Sequence, residues 1–171
     1  MWGRHVITFT TSQLQPSPPT PRISQDPKDE LLLGPAYATT RLLHRNGLTA
    51  RDVDVFEIHE AFAGQVGANL KAMDSEAFVT GKVGLPASAK VGAIPLEKMN
   101  AWGGSLAIGH PFGATGTRLI TTSANRLIKT GGRYAVLTAC AAGGQAVAML
   151  LERYVAPAGA AAKPVIAPKM A

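Results

Sequence analysis

The sequence predicts an α/β fold, with a mixed, mostly parallel sheet covered by helices. Between residues 35 and 139, short apolar runs of strand length alternate with longer segments whose apolar residues recur at spacings of three and four. Strand–helix–strand order of this kind closes into a parallel sheet under helices. Composition agrees. Of 171 residues 46% are hydrophobic but only 6% aromatic, and glycine is abundant at 18, which suits helices lying close on a sheet better than a large aromatic-lined cavity. A chain of this length buries a genuine core, and its apolar content separates it from disordered sequences.

The elements follow in order. Residues 1–27 are Ser/Thr-rich, carry Pro16, Pro18, Pro19, Pro21 and Pro27, and have no acidic residue before Asp26. Such an acid-poor, Arg- and Ser-bearing leader resembles an organellar transit segment, but its prolines oppose an amphipathic helix. A linker or a wrongly assigned start reads equally well, and no fixed structure is expected there. Pro35 then stands at a first-turn position of a helix through Tyr37, Ala38, Arg41, Leu42 and His44, with Asn46-Gly47 as its C-cap. Residues 53–58 read as a short buried strand. A helix follows from about Ala61, with Phe62, Val66, Leu70 and Met73 on one face. Residues 74–98 show no clean period and contain Gly81, Gly84, Pro86, Gly92 and Pro95, so a long excursion is expected.

Residues 101–108 read as another strand, interrupted by Gly103-Gly104. Residues 111–129 read as a helix with Leu119, Ile120, Ala124, Leu127 and Ile128 on one face, closed by Gly131-Gly132. Residues 133–139 form a strand, 141–144 a tight turn and 146–154 a last strand, which makes the final pair an antiparallel hairpin. The Ala/Pro-rich tail at 155–171 is expected to fray. The domain division is therefore 1–27, 28–154 and 155–171.

The formal net charge is +6, but the basic residues are scattered and form no aromatic-interleaved stripe, so nucleic acid is not expected as a partner. A polyanionic small molecule would be served equally well. The single cysteine excludes an internal disulfide and a cysteine-based metal cage, and points to a reducing compartment. Apolar stretches are broken well short of the ~20 residues that a membrane span requires. A soluble chain is expected.

Three short motifs carry chemistry. His110 lies between Gly109 and Pro111, ahead of Phe112-Gly113-Ala114-Thr115-Gly116. Gly109 would let the backbone pass close to a ligand and Pro111 would stiffen the corner, leaving the imidazole as base or hydrogen-bond donor; the alternative is an ordinary loop histidine among glycines needed for packing. Cys140, at a strand end before Ala141-Ala142-Gly143-Gly144, is a candidate nucleophile or proton donor, or else a buried thiol without chemistry. The small residues after it offer backbone N–H groups for an oxyanion hole. His59-Glu60-Ala61-Phe62 straddles a strand end and a helix start, a common place for site residues in parallel sheets. Glu60 there also reads as a helix N-terminal charge favoured by the dipole.

Together, in this order and spacing, His59-Glu60-Ala61-Phe62, Gly109-His110-Pro111 with its glycine-rich continuation, and Cys140-Ala141-Ala142-Gly143-Gly144 resemble the thiolases. The resemblance spans roughly residues 28–154. It is closest to the 3-ketoacyl-CoA thiolases (acetyl-CoA C-acyltransferases) of fatty-acid β-oxidation, a group that includes trifunctional-enzyme β subunits and carries His where short-chain thiolases usually have Asn. It implies the C-terminal thiolase-like domain of an acyltransferase acting on 3-ketoacyl-CoA and CoA. By the same resemblance His110 activates the acyl-accepting cysteine and Cys140 shuttles a proton. His110, with a water held by His59, forms one oxyanion hole, and the N–H of Ala142, where many thiolases have Gly, belongs to the other. Phe62, Gly109, Pro111 and Gly143 border the substrate. CoA and acyl-CoA enter as substrates, with no metal and no cofactor.

Thiolases have two similarly folded halves and a loop domain that grips CoA, and their nucleophilic cysteine belongs to the first half. Here the only cysteine already matches the C-terminal motif, so the resemblance implies the C-terminal half, short of its first strand. Its expected partners are CoA thioesters and an N-terminal thiolase half or another thiolase-type subunit, in a homo- or hetero-oligomer. The compartment implied is mitochondrial in a eukaryote and cytoplasmic otherwise. The competing readings are a catalytically inactive binding or assembly module, and a truncated fragment needing an N-terminal half.

Overall fold

Strands β1 (Val6–Gln13), β2 (Val55–Ile58), β3 (Tyr134–Ala141) and β4 (Gln145–Tyr154) form one sheet in the order β1-β4-β3-β2. Around it lie helices α1 (Gly34–Arg45), α2 (Ala63–Met73), α3 (Glu76–Phe78), α4 (Ser105–Ile108) and α5 (Thr115–Thr130). The structure, a computed structural model, describes residues 6–13, 30 and 32–154. The expected tail at 155–171 and the rest of the 1–27 segment lie outside the described residues.

The fold is α/β and the sheet is mixed, as the sequence predicts, but its parallel share is smaller than expected. Only β2 and β3 pair parallel, Val55 opposite Ala135 through Ile58 opposite Thr138. The β3–β4 hairpin and the β1–β4 pair are antiparallel. The reason lies at residues 101–108, which do not form the expected strand. Met99 makes an isolated parallel bridge to Phe56, and Asn100 (φ 44°) and Gly103 (φ 95°) then turn the chain out of extended conformation. Ser105–Ile108 closes instead into a single helical turn, with the Ala107 and Ile108 N–H groups on the Gly104 carbonyl at 3.0 and 3.1 Å. A second difference is β1, in the segment expected to lack structure. Its pairing takes up backbone groups that β4 would otherwise present as a bare edge.

Both faces of the sheet are covered. Side chains alternate along β2 and β3: Phe56, Ile58 and Val136 join the core under α1, while Val55, Ala135 and Leu137 join Leu119 and Leu127 of α5 on the other side. The α1 start lies so close to β4 that a Cβ on Gly34 would stand 2.7 Å from the Ala146 methyl. Pro35 sits in its first turn and Asn46 ends it, both as expected. Helix α5 begins at Thr115 rather than Pro111, because Gly113 (φ 82°) is left-handed. Its expected apolar face holds for Leu119 and Leu127, whereas Ile128 is 42% exposed. Likewise α2 starts at Ala63, burying Val66 and Met73 while Phe62 stays outside.

The excursion at 74–98 is a run of short turns: α3, a π-helical stretch at Val79–Val83, and 3-10 turns at Ala87–Ala89 and Leu96–Lys98. It contributes Phe78, Val79, Val83, Ala89, Val91 and Ile94 to the core beneath α1. Phe78 packs edge-on against Tyr37 with ring centroids 4.8 Å apart, an arrangement that an aromatic pair favours.

Candidate active site

Parallel pairing of β2 with β3 sets their C-terminal ends side by side. His59 is the residue after β2 and continues the ladder, its N–H donating to the Thr138 carbonyl at 2.8 Å. Its ring is buried, 3% exposed. His110 comes from the exposed loop after α4, and the two imidazoles meet with centroids 4.0 Å apart and planes tilted by 38°. Positions 51 residues apart in sequence are thus brought into ring contact.

Each ring has a hydroxyl partner. His59 Nδ1 lies 2.9 Å from Ser105 Oγ, and His110 Nδ1 lies 2.6 Å from Thr115 Oγ1. Arg118 ties the two sides together, its Nη1 donating to the Gly109 carbonyl at 2.7 Å and its Nη2 to Ser105 Oγ at 2.8 Å. Gly109 itself has φ 89°, a left-handed angle that a side chain would strain. Phe112, 91% exposed, stands edge-on to His110 at 5.1 Å.

A second network positions the turn that carries Ser105. Asn100 pairs with the backbone of Ile58 in both directions, accepting the N–H and donating to the carbonyl at 2.8 Å each, and donates to Glu60 Oε1 at 2.5 Å. The other Glu60 oxygen accepts the Leu106 N–H at 3.0 Å. Gly104 passes so close that a Cβ there would collide with the Glu60 carboxylate. Glu60 therefore joins β2 to α4, which the dipole argument alone does not anticipate.

Burial, with the neighbouring His110 and Arg118 next in order, holds the His59 imidazolium below its ordinary pKa, and Glu60 pulls weakly the other way. Burial also pushes the Cys140 thiol up. At neutral pH the site therefore offers an uncharged His59 and a protonated thiol.

Cys140 lies on β3 opposite Ala146, half-buried and free. Among the described residues no hydrogen bond joins it to His59 or His110. The hairpin turn beyond it holds Ala142, Gly143 (φ 84°) and Gly144 (φ 73°). Ala142 does not take a left-handed angle, Asn100 being the one non-glycine residue that does among those described, so its methyl is held without backbone strain. Its N–H has no backbone partner among the described residues. Phe62, at the N-cap of α2, is 63% exposed, and Gly109, Pro111 and Gly143 are exposed as well. His110 is exposed beside the buried His59; a cavity of about 400 Å³ lies elsewhere, lined by Thr49, Arg51, Asp74 and Lys90 among others. Among the described residues no group of three or more His, Cys, Asp or Glu is placed to hold a metal ion, and no helix is long and apolar enough to cross a membrane.

Ser105, Thr115, Arg118 and Asn100 were not singled out by sequence reasoning. Thr115 and Arg118 are three apart on one helix, hence on one face, which is a usable signal. Nothing local marks Ser105 or Asn100: Ser105 meets His59 46 positions away and Arg118 13 away, and Asn100 meets Ile58 42 and Glu60 40 away.

Residues 20–153 match the family model described as thiolase, C-terminal domain. Over 132 residues, 77% of this chain, the sequence is 62% identical to the mitochondrial trifunctional enzyme subunit beta of Bos taurus and covers 27% of that protein. It is 49% identical over 124 residues to a 3-ketoacyl-CoA thiolase of Pseudoalteromonas atlantica, covering 72% of this chain and 28% of the relative. The fold matches a crystal structure of human mitochondrial 3-ketoacyl-CoA thiolase in complex with CoA at a TM-score of 0.58 and 27% identity, over 88% of this chain and 30% of that one. The chain thus spans little more than a quarter of the length of these curated relatives.

Proposed function

The chain belongs to the thiolase family, and from that premise we propose that it forms the C-terminal half of a 3-ketoacyl-CoA thiolase. The reaction is an acyl transfer between 3-ketoacyl-CoA and CoA that yields acetyl-CoA and a shortened acyl-CoA, the chemistry of fatty-acid β-oxidation. The observation that carries this reading is the His59–His110 ring pair, centroids 4.0 Å apart, at the end of β2.

In this reading a cysteine contributed by the remainder of the thiolase body attacks the C3 carbonyl after giving its proton to His110. The C2–C3 bond breaks, and the acetyl-CoA carbanion takes the proton of Cys140. CoA then loses its thiol proton to the Cys140 thiolate and attacks the acyl thioester. The first cysteine leaves as thiolate, the proton on His110 returns to it, and both cysteines are restored. Thr115 Oγ1 supports the base role. With the Pro111 carbonyl 3.5 Å away as an acceptor for its own proton, it can receive Nδ1–H of His110 and leave Nε2 free for proton abstraction. His59 and His110 would hold one developing oxyanion and the Ala142 N–H the other. Phe62, Gly109, Pro111 and Gly143 would border the thioester. CoA thioesters are substrates here, and neither metal nor cofactor enters the scheme. Residues 28–154 would be the domain that does this, and in a eukaryotic host its compartment would be the mitochondrion, as the name of the Bos taurus relative suggests.

The test is to co-produce the chain with the N-terminal portion of a 3-ketoacyl-CoA thiolase and follow CoA-dependent loss of a 3-ketoacyl-CoA. Turnover is expected, and His110→Ala should lower it by about 10²–10⁴-fold, the usual loss for a positioned base. An unchanged rate would overturn the assignment. A stable complex without turnover would favour the alternative of a non-catalytic assembly module; the single cysteine in these 171 residues argues for inactivity of the chain alone.

A further inference from the structure

We propose that Ser105 and Arg118 are positioning residues that fix the tautomer of His59, holding its proton on Nε2 and its Nδ1 as an acceptor. The inference deepens the acyl-transfer reading and rests on it for its catalytic meaning, but its physical content is separate. Arg118 is a donor only, so in its 2.8 Å bond to Ser105 the hydroxyl oxygen accepts. The serine hydroxyl keeps one proton to place. Ser105 is buried, and among the described contacts its Oγ has one further partner, His59 Nδ1 at 2.9 Å. If Nδ1 instead donated, the hydroxyl proton would be left in a buried site without an acceptor, an arrangement that folded proteins avoid. The chain of donors therefore runs from Arg118 to Ser105 to Nδ1.

The charges around the ring act in the same direction. His110 from the loop before α5 and Arg118 from α5 both disfavour a second proton on His59, while Glu60, next in the chain, favours it more weakly. A neutral ring with Nδ1 occupied must carry its hydrogen on Nε2. No protein group takes that nitrogen among the described residues, so the N–H is left free as a donor beside His110, suited to a water or a carbonyl oxygen. The two histidines then play opposite parts. His110 presents a lone pair on Nε2 through its contact with Thr115, and His59 presents a hydrogen through its contact with Ser105.

The tautomer is read directly from the nitrogen shifts and ring-proton couplings of His59 in a ¹⁵N-histidine sample of the full chain, assigned with a His59→Gln control. Nδ1 should read as unprotonated and Nε2 as protonated at pH 7. Ser105→Ala should convert this to a mixture of tautomers and raise the His59 pKa, because the bond that favours the neutral form is gone. Ser105→Thr, which keeps the hydroxyl, should restore the original pattern. Arg118→Gln should raise the pKa as well, since it removes a nearby positive charge. Far-UV circular dichroism and the amide shift of His59, bonded to Thr138, report whether each variant is folded. Wild-type His59 protonated on Nδ1, or a folded Ser105→Ala protein with an unchanged tautomer, overturns the proposal. Should Ser105→Ala not fold, the wild-type reading and Ser105→Thr decide it. These outcomes do not depend on turnover, so an assembled enzyme without thiolysis would sink the acyl-transfer reading and leave this one standing.

Discussion

At the scale of single residues, the protonation state of Cys140 decides what it can do. Burial raises its thiol above the ordinary value, so near neutral pH it keeps its proton and suits donation better than attack. Cys140→Ser retains the approximate shape but is a far weaker acid. In the assembled enzyme we predict a larger loss in kcat than in KM, with a thermal melt little changed. Parallel losses of stability and activity would make the cysteine a packing residue. The sequence reveals this residue and His110 because small residues frame them, and His59 because it stands where the pattern passes from strand to helix. It does not reveal the hydroxyls that orient the rings, since Ser105 reaches His59 through 46 positions of intervening chain and acquires its role only when Glu60 and Gly104 hold α4 against β2.

At the scale of elements, strands and helices whose own residues decide them were legible, and those decided by a distant neighbour were not. The α1 caps, the α5 stop at Gly131 and the β3–β4 hairpin follow local rules. Residues 101–108 have an apolar strand-like pattern, yet Asn100, bonded across to Ile58, and the Glu60 carboxylate, capping Leu106, make them a turn. The ion pair between Glu57 on β2 and Arg126 on α5 is another long-range device, with N–O distance 2.6 Å and both side chains buried. Arg126 also donates to the Lys98 carbonyl at 3.0 Å, so it fastens the far end of the excursion too. Removing one partner leaves a buried charge, and we predict that Arg126→Met costs about 3–5 kcal/mol in urea denaturation. Pairing it with Glu57→Leu should recover most of that loss. Burial already pushes the Glu57 carboxyl up, against the pull of Arg126; without the arginine it should rise further. A carboxyl whose folded pKa is raised contributes stability below its unfolded value, about 4.3, and loses it as pH climbs through the folded value. The Arg126→Met deficit should therefore be smaller at pH 4.5 than at pH 7. A deficit independent of pH, or a double variant no better than the single, would mean the pair is not what joins these elements.

At the scale of the molecule, the surfaces left open are of two kinds, and both invite a second body. Large apolar side chains stand out from α4 and the loops near the histidines: Phe62, Trp102, Leu106, Ile108 and Phe112. The outward residues in the N-terminal halves of two helices are small instead, Ala63, Gly64, Gly67 and Ala68 on α2 and Gly116, Thr117 and Thr121 on α5. Small side chains let another helical layer approach closely, and the exposed apolar loops give it something to bury. In the two-halved thiolase body that the resemblance implies, the same surfaces would meet an N-terminal half. We predict that the chain alone gives no measurable thiolysis and self-associates at micromolar concentration in sedimentation, and that adding an N-terminal thiolase portion replaces self-association with a defined complex. Burying a side chain such as Phe112 contributes about 1.5–3 kcal/mol. At 1.4 kcal/mol per tenfold in affinity, Phe112→Asp should weaken the complex by roughly ten- to a hundredfold while the isolated chain keeps its melting temperature, because that ring is already outside the core. A chain that sediments as a compact monomer, binds no hydrophobic dye and ignores the N-terminal portion would be closed on its own, and the apolar loops would then belong to no interface.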